Sequence, residues 1–155
     1  MTTFEQQIFN MAVNIGARSA RSPWHKVTKA VTTLYARLTT TFKGATHRKT
    51  VDEVAHEWQR MFPSGVAVKE VRDGTAYGEI RAECPLRDTG DVEACYRMME
   101  YDRAMLGVIG GEFVVLKSQA EPGVRVCEVA IRRAGEGTHG LDHAHERVKR
   151  RLPLA

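Results

Sequence analysis

Apolar residues recur at three- and four-residue steps along most of the first 62 positions, and this spacing predicts helices. Gly16 and the Ser22-Pro23 pair close the first helix. A third helix begins at a capping box, in which Thr50 is followed three residues later by Glu53. Between them lies the strongest apolar stripe of the region, formed by Trp24, Val27, Val31, Leu34, Leu38 and Phe42.

After residue 62 the spacing changes to the two-residue alternation of β-strands. Segments 66–71 and 77–84 flank Asp73 and Gly74, a pair that favours a two-residue hairpin turn. A helical segment at 91–110 follows, and then strands at 113–118 and 124–133. This order predicts an α+β fold: N-terminal helices followed by a β-β-α-β-β unit, with an antiparallel sheet and a helix packed on one face.

The chain therefore divides into three predicted regions. Residues 1–62 form an N-terminal helical region, and residues 63–134 form the α+β core. Residues 135–155 form a basic, histidine-containing tail that includes a short helix around 141–151.

Charge is distributed unevenly between these regions. Residues 1–50 carry eight Lys or Arg against Glu5 alone, whereas residues 51–131 carry nine against fifteen acidic residues. The basic arm is interpreted either as a solvated helical surface or as one docked on the acidic core of a second subunit, which predicts a homo-oligomer through the N-terminal helices. Its basic residues are scattered rather than clustered, which disfavours nucleic-acid binding.

The pattern of hydrophobic residues also bears on location. No apolar run approaches the roughly 20 residues needed to span a bilayer. The first residues lack the basic and apolar segments of a signal peptide, so we expect a cytoplasmic protein without a membrane partner.

One residue of the helical segment 91–110 breaks its apolar pattern. Asp102 falls on the stripe that the other members make apolar, namely Val92, Cys95, Met99, Leu106 and Ile109. A lone buried carboxylate costs several kcal/mol, so this one must be paired, hydrogen-bonded or raised in pKa. The alternatives are an ion pair with Arg103, Arg97 or Arg125, a backbone cap, or an acid/base role.

Three cysteines lie in the same predicted core. Cys84 ends the second strand, Cys95 lies one turn into the helix, and Cys127 lies within the last strand. If the helix packs on the sheet, these thiols converge with Asp102. Such a cluster suits a thiolate nucleophile with a general acid/base, or a closed metal site. Plain packing of buried thiols is the alternative reading.

Two further features could bind a ligand. His139 and His143 are four residues apart in the tail, with Asp142 and Glu146 nearby, a set that suits zinc or manganese. Met99 lies beside Asp102 with two other methionines, and this cluster could line a small-molecule pocket between helix and sheet.

The stretch 77–133 resembles the L-2-amino-thiazoline-4-carboxylic acid hydrolase family. The shared features are a strand into Cys84-Pro85, Cys95 followed after six residues by Asp102, Gly110-Gly111 before an apolar strand, a turn with Gly123, and a strand with Val126-Cys127-Glu128. The chain has Lys117-Ser118 where the family pattern has an Arg-Thr-like pair, and the N-terminal helices match no motif of the family.

This resemblance implies a hydrolase that opens a cyclic amidine or imide-like C–N or C–S bond and gives an N-carbamoyl amino acid. It singles out Cys84, Cys95, Asp102 and Cys127. A thiolate would attack the amidine carbon, Asp102 would protonate the leaving group, and Lys117, Arg125 and Met99 would contact the substrate. The alternative function is a small-molecule or metal-binding module that acts through a partner without catalysis.

Overall fold

The computed structural model describes residues 3–151, which form an α+β fold around a four-stranded antiparallel sheet. The strands are β1 (Val66–Arg72), β2 (Thr75–Ile80), β3 (Gly111–Lys117) and β4 (Cys127–Arg133). Their spatial order is β1-β2-β4-β3, and every neighbouring pair is antiparallel. The predicted α+β fold class is therefore confirmed.

Helices pack in layers on one side of this sheet, some on the strands and others mainly on neighbouring helices. In chain order they are α1 (Thr3–Arg21), α2 (His25–Phe42), α3 (Val51–Met61), α4 (Val92–Met98), α5 (Glu100–Ile109) and α6 (Ala144–Arg151). Helix α3 packs on β1, β2 and β4, and α5 packs on β3. Alternate residues of β4, namely Cys127, Val129 and Ile131, are buried beneath them. No helix of the described part of the chain is long and apolar enough to cross a membrane.

The strongest local signals in the sequence form the structures that they predict. Thr50 accepts a hydrogen bond from the Glu53 amide, and the Glu53 carboxylate accepts one from the Thr50 amide, which completes the capping box. Asp73 and Gly74 both have positive φ, as a type I′ hairpin turn requires. Gly110 ends α5 in the left-handed conformation.

Several predicted boundaries differ from the structure. The helix predicted at 91–110 is two helices, α4 and α5, separated at Met99. The strand predicted at 77–84 ends at Ile80, where its ladder with β4 stops at Cys127. Cys84 consequently lies in the loop after β2. Helix α1 continues through Gly16 to Arg21, because a single glycine inside a helix costs only about 1 kcal/mol.

Helix α2 turns its small and polar face towards the protein. Ala36 and Thr40 are fully buried against α5. Thr33 donates a hydrogen bond to Glu100 at 3.1 Å, and the hydroxyl groups of Thr39 and Tyr101 are 2.9 Å apart. The apolar stripe predicted for this helix is exposed instead. Periodicity identified the apolar face correctly, but small residues on the opposite face allow the two helix backbones to approach closely.

Candidate functional site

The three thiols converge beneath the helices, as the sequence predicts. Cys95 and Cys127 are each only 1% exposed, and Cys84 is buried beside them in the loop after β2. Cys95 reaches the cluster from α4 and Cys127 from the first residue of β4. All three belong to the main hydrophobic core. The fold therefore brings together residues that are up to 43 positions apart in the sequence.

Cys95 and Cys127 form an asymmetric pair. A hydrogen bond from Cys95 lowers the pKa of Cys127, and the Gln119 amide donates to the same sulfur at 3.3 Å. The same thiol contact, together with burial, raises the pKa of Cys95. Burial also raises the pKa of Cys84. Of the three, Cys127 is therefore the thiol best placed to become a thiolate.

Gln119, which sequence reasoning missed, holds this cluster in place. Its side chain is fully buried and accepts hydrogen bonds from the Cys84 amide and from the Arg87 guanidinium. Its amide nitrogen donates to the carbonyl groups of Ile80 and Ala82. The β3–β4 connection is thus tied to the loop that carries Cys84. No local signal marks a glutamine in a turn as buried, because its partners lie more than 30 residues away.

Asp102 lies on α5 and is half-buried. Burial raises its pKa to about 6, against the opposing effects of a hydrogen bond from Trp58 and the charge of Arg103. The Trp58 indole donates to Asp102 Oδ1 at 3.3 Å, and Trp58 itself is fully buried. The Asp102 charge also raises the pKa of Cys127, which places the acid within electrostatic reach of the thiol pair.

The arginines considered as ion-pair partners of Asp102 have other contacts. Arg103 pairs with Glu100 at 2.9 Å and donates to the Tyr96 carbonyl. Arg97 lies 3.5 Å from Glu93 and donates to the Ala20 carbonyl. Arg125 is exposed. Asp102 has no ion-pair partner within 4.0 Å among the described residues, so its proton affinity depends mainly on burial.

The residues predicted to bind substrate occupy different environments. The Lys117 ammonium pairs with Glu128 at 2.8 Å, and Glu128 points away from the face of β4 that carries Cys127. Arg125 is exposed in the segment before β4. Met99 is buried in the same core as the thiols. Of these three, only Met99 therefore shares the buried core that contains the thiols.

Two surface cavities lie elsewhere. One, of about 520 Å³, is formed by the loop before α6 and by Glu146 and Arg150 of that helix. The other, of about 500 Å³, lies between α2, α4 and α5 and is lined by Lys29, Arg37, Tyr96, Glu100 and Arg103, among others. Neither is lined by a cysteine or by Asp102.

A group that could hold a metal ion lies at the start of α6. Ligand atoms of His143, His145 and Glu146 all lie within 4.8 Å of one another, the only such group among residues 3–151. The three sulfur atoms do not meet this criterion. Of the four residues that the sequence indicated, His143 and Glu146 belong to this group, whereas His139 and Asp142 do not and His145 joins it instead. Helix α6 begins only at Ala144, so residues 139 and 143 do not share a helical turn.

The surroundings of this group favour a neutral imidazole. Burial lowers the pKa of His145, whose ring stacks on Tyr96 with centroids 3.8 Å apart. The neighbouring cations are paired: Lys149 with Glu93 at 3.0 Å, and Arg147 with Glu121 at 3.0 Å. A neutral, oriented imidazole is the form that binds a metal.

The fold and these groups define an α+β protein that encloses three thiols beside a half-buried carboxylic acid and carries a histidine–glutamate group at its edge. Comparison with models of known families, with curated proteins and with solved structures gives no match. The residues themselves therefore provide the only basis for proposing a function.

Proposed function

We propose that this protein is a small hydrolase that opens a cyclic amidine of the thiazoline-carboxylate type, with Cys127 as nucleophile and Asp102 as acid/base. The observation that carries the proposal is the buried pair of Cys95 and Cys127, with the Gln119 amide 3.3 Å from the Cys127 sulfur and the half-buried Asp102 on the neighbouring helix α5. Burial raises the pKa of that acid to about 6. Two donors, the Cys95 thiol and the Gln119 amide, face the Cys127 sulfur and would stabilise its thiolate.

Each step of the ring opening and hydrolysis can be assigned to Cys127, Asp102 or water. The Cys127 thiolate adds to the carbon between the ring heteroatoms, the ring C–S bond breaks, and Asp102 gives its proton to the departing sulfur. Water then adds to the carbon held on Cys127 and loses a proton to the Asp102 carboxylate. As this adduct collapses, the second proton of the water passes to the former ring nitrogen, the Cys127 thiolate is expelled, and the N-carbamoyl amino acid is left. One water is consumed, and both side chains return to their starting states.

Burial requires that the site open before substrate can enter. Cys127 is 1% exposed, whereas Asp102 is half-buried and reaches the protein surface from α5. In this proposal the substrate approaches from the Asp102 side, and the break between α4 and α5 at Met99 is the point where the cover can move. Substrate binding should therefore slow alkylation of Cys127.

The test is turnover of 2-amino-thiazoline-4-carboxylate, followed by mass spectrometry of the N-carbamoyl product. Cys127→Ser and Asp102→Asn are each expected to lower kcat by about 10²–10⁴-fold, the usual contribution of an acid/base or nucleophile. Cys84→Ala should retain most of the turnover, because Cys84 performs no step in this scheme. Wild-type-like turnover by Asp102→Asn or Cys127→Ser would refute the assignment.

A second candidate, a metal-binding module, is favoured by the His143, His145 and Glu146 group and by the burial of all three thiols. Two imidazoles and one carboxylate are a donor set of catalytic zinc sites, and the imidazoles suit zinc better than manganese. This candidate is preferred if the wild-type protein turns over no cyclic amidine and its three thiols react slowly with iodoacetamide from pH 5 to 9.

Zinc binding can be tested with a matched pair of histidines. We expect the wild-type protein to take up one Zn²⁺ per chain in competition with a chromophoric chelator, and His145→Ala to weaken this binding at least tenfold. His139→Ala is the control and should bind as the wild type does, because His139 lies outside the group. Equal weakening by both variants, or by neither, would contradict the assignment of ligands.

A further inference from the structure

The outward side of α2 is an extended apolar surface. Its outer face consists of Trp24, just before the helix, and of Val27, Val31, Leu34, Tyr35, Leu38 and Phe42. These side chains are between 48% and 87% exposed. Single exposed apolar residues are ordinary, but the largest continuous patch of a monomer is usually about 300–600 Å². Seven large apolar residues, each about half exposed or more, present an area on the order of the ~800 Å² that each partner contributes to a stable interface.

The spacing of the outer face identifies the kind of partner. Trp24, Val31 and Leu38 repeat every seven residues, and Val27 and Leu34 lie three residues after the first two. This is the a and d pattern of a coiled coil, in which a narrow apolar seam packs against another helix. Thr41 occupies the last d position. The pattern fits one helix laid along another.

The charges beside the apolar face of α2 also distinguish a helical partner from a lipid surface. A helix that lies on an anionic membrane carries several cations beside its apolar face. The positions that border the seam of α2 hold Thr28, Ala30, Tyr35, Arg37 and Phe42, only one of which is basic. Lys26 and Lys29 lie farther round the helix, and Lys29 is 3.7 Å from Glu100 of the same chain. Because only one basic residue of α2 borders the seam, the seam between two paired copies would be largely uncharged.

We propose that the outer face of α2 is a dimer interface, on which α2 of a second copy packs as a short two-helix coiled coil. The opposite face of α2 is already fixed on α5 by Ala36 and Thr40, so pairing needs no rearrangement of the core. Met11 and Ile15 of α1, 60% and 59% exposed, add further apolar surface on the same helical arm.

The first experiment measures mass by sedimentation velocity over a range of protein concentrations. The wild-type protein is expected at twice the 17.4 kDa of the chain. Val31→Glu combined with Leu34→Glu should give the single-chain mass with unchanged circular dichroism, because both side chains are exposed in one copy. Lys26→Gln with Lys43→Gln changes the net charge equally but lies off the seam, and this control should stay dimeric.

A second variant tests the interface by crosslinking the two copies instead of disrupting their contact. Leu34 lies near the middle of α2, so paired copies bring the two Leu34 positions together in either parallel or antiparallel orientation. Leu34→Cys is expected to form a disulfide-linked dimer under mild oxidation, whereas Lys26→Cys is not.

Two outcomes overturn the proposal. A wild-type protein with the single-chain mass at every concentration excludes the dimer, and its sedimentation with phosphatidylglycerol vesicles would then assign the outer face to a membrane surface. A glutamate double variant that remains dimeric, with no crosslinking of Leu34→Cys, would place the interface elsewhere.

Discussion

Replacing Trp58 with alanine is expected to lower the free energy of unfolding by about 3–5 kcal/mol, the range for a large side chain removed from a tight core. Trp58 is fully buried on α3 and packs against Phe113 with ring centroids 6.0 Å apart. A Cβ at Gly78 would lie 3.0 Å from its ring, so β2 approaches this indole closely. Chemical denaturation monitored by circular dichroism measures the loss.

Trp58→Phe is the matched control for this substitution. Phenylalanine keeps most of the ring packing but loses the indole N–H that donates to Asp102. We expect a cost of about 1–2 kcal/mol, from the lost hydrogen bond and a small cavity. A cost of Trp58→Ala no larger than that of Trp58→Phe would show that α3 does not depend on this side chain for its packing.

Asp102→Asn is expected to change how stability depends on pH. The pKa of Asp102 is raised from 3.8 to about 6 in the folded protein, so between these values the folded state holds a proton that the unfolded state has released. Stability of the wild type should therefore fall as pH rises from about 4 to 7, by about 2–3 kcal/mol. Asparagine cannot ionise, so the variant should lack this decline and be more stable than the wild type above pH 7.

Urea denaturation at several pH values between 4 and 8 measures this difference. Asp73→Asn removes an exposed carboxylate in the β1–β2 turn, where asparagine also tolerates positive φ, and its curve should run parallel to that of the wild type. If the stability of Asp102→Asn follows the wild-type curve at every pH, ionisation of Asp102 does not destabilise the folded protein. A stable variant without turnover would also separate a catalytic role from a folding defect.

The parts of this fold that were predictable depend on local chemistry. The capping box at Thr50 and Glu53, the turn at Asp73-Gly74 and the helix end at Gly110 each require only neighbouring residues, and all are confirmed. The burial of the apolar stripe that contains Cys95 was also predictable, because its apolar spacing is regular. Helix periodicity could not show which side of α2 meets the core, since that depends on how closely Ala36 and Thr40 let α5 approach.

The candidate site likewise has some features that the sequence predicts and others that it does not. The convergence of Cys84, Cys95 and Cys127 followed from packing a helix stripe on a sheet, and the anomaly of Asp102 was visible in its position. Neither the hydrogen bond from Trp58 nor the buried amide of Gln119 could be predicted from sequence, because each joins segments that are more than 30 residues apart. The hydrolase activity stays a prediction until turnover is measured.

The two tryptophans are fluorescent probes of two different events. Trp58 is fully buried and hydrogen-bonded to Asp102, so its fluorescence should emit at short wavelength, resist quenching by acrylamide and change as the carboxyl group titrates. Trp24 is 71% exposed on the outer face of α2 and should emit at long wavelength, with a blue shift when that face is covered. Unlabelled protein could therefore report proton binding at its core and association at its surface in one spectrum.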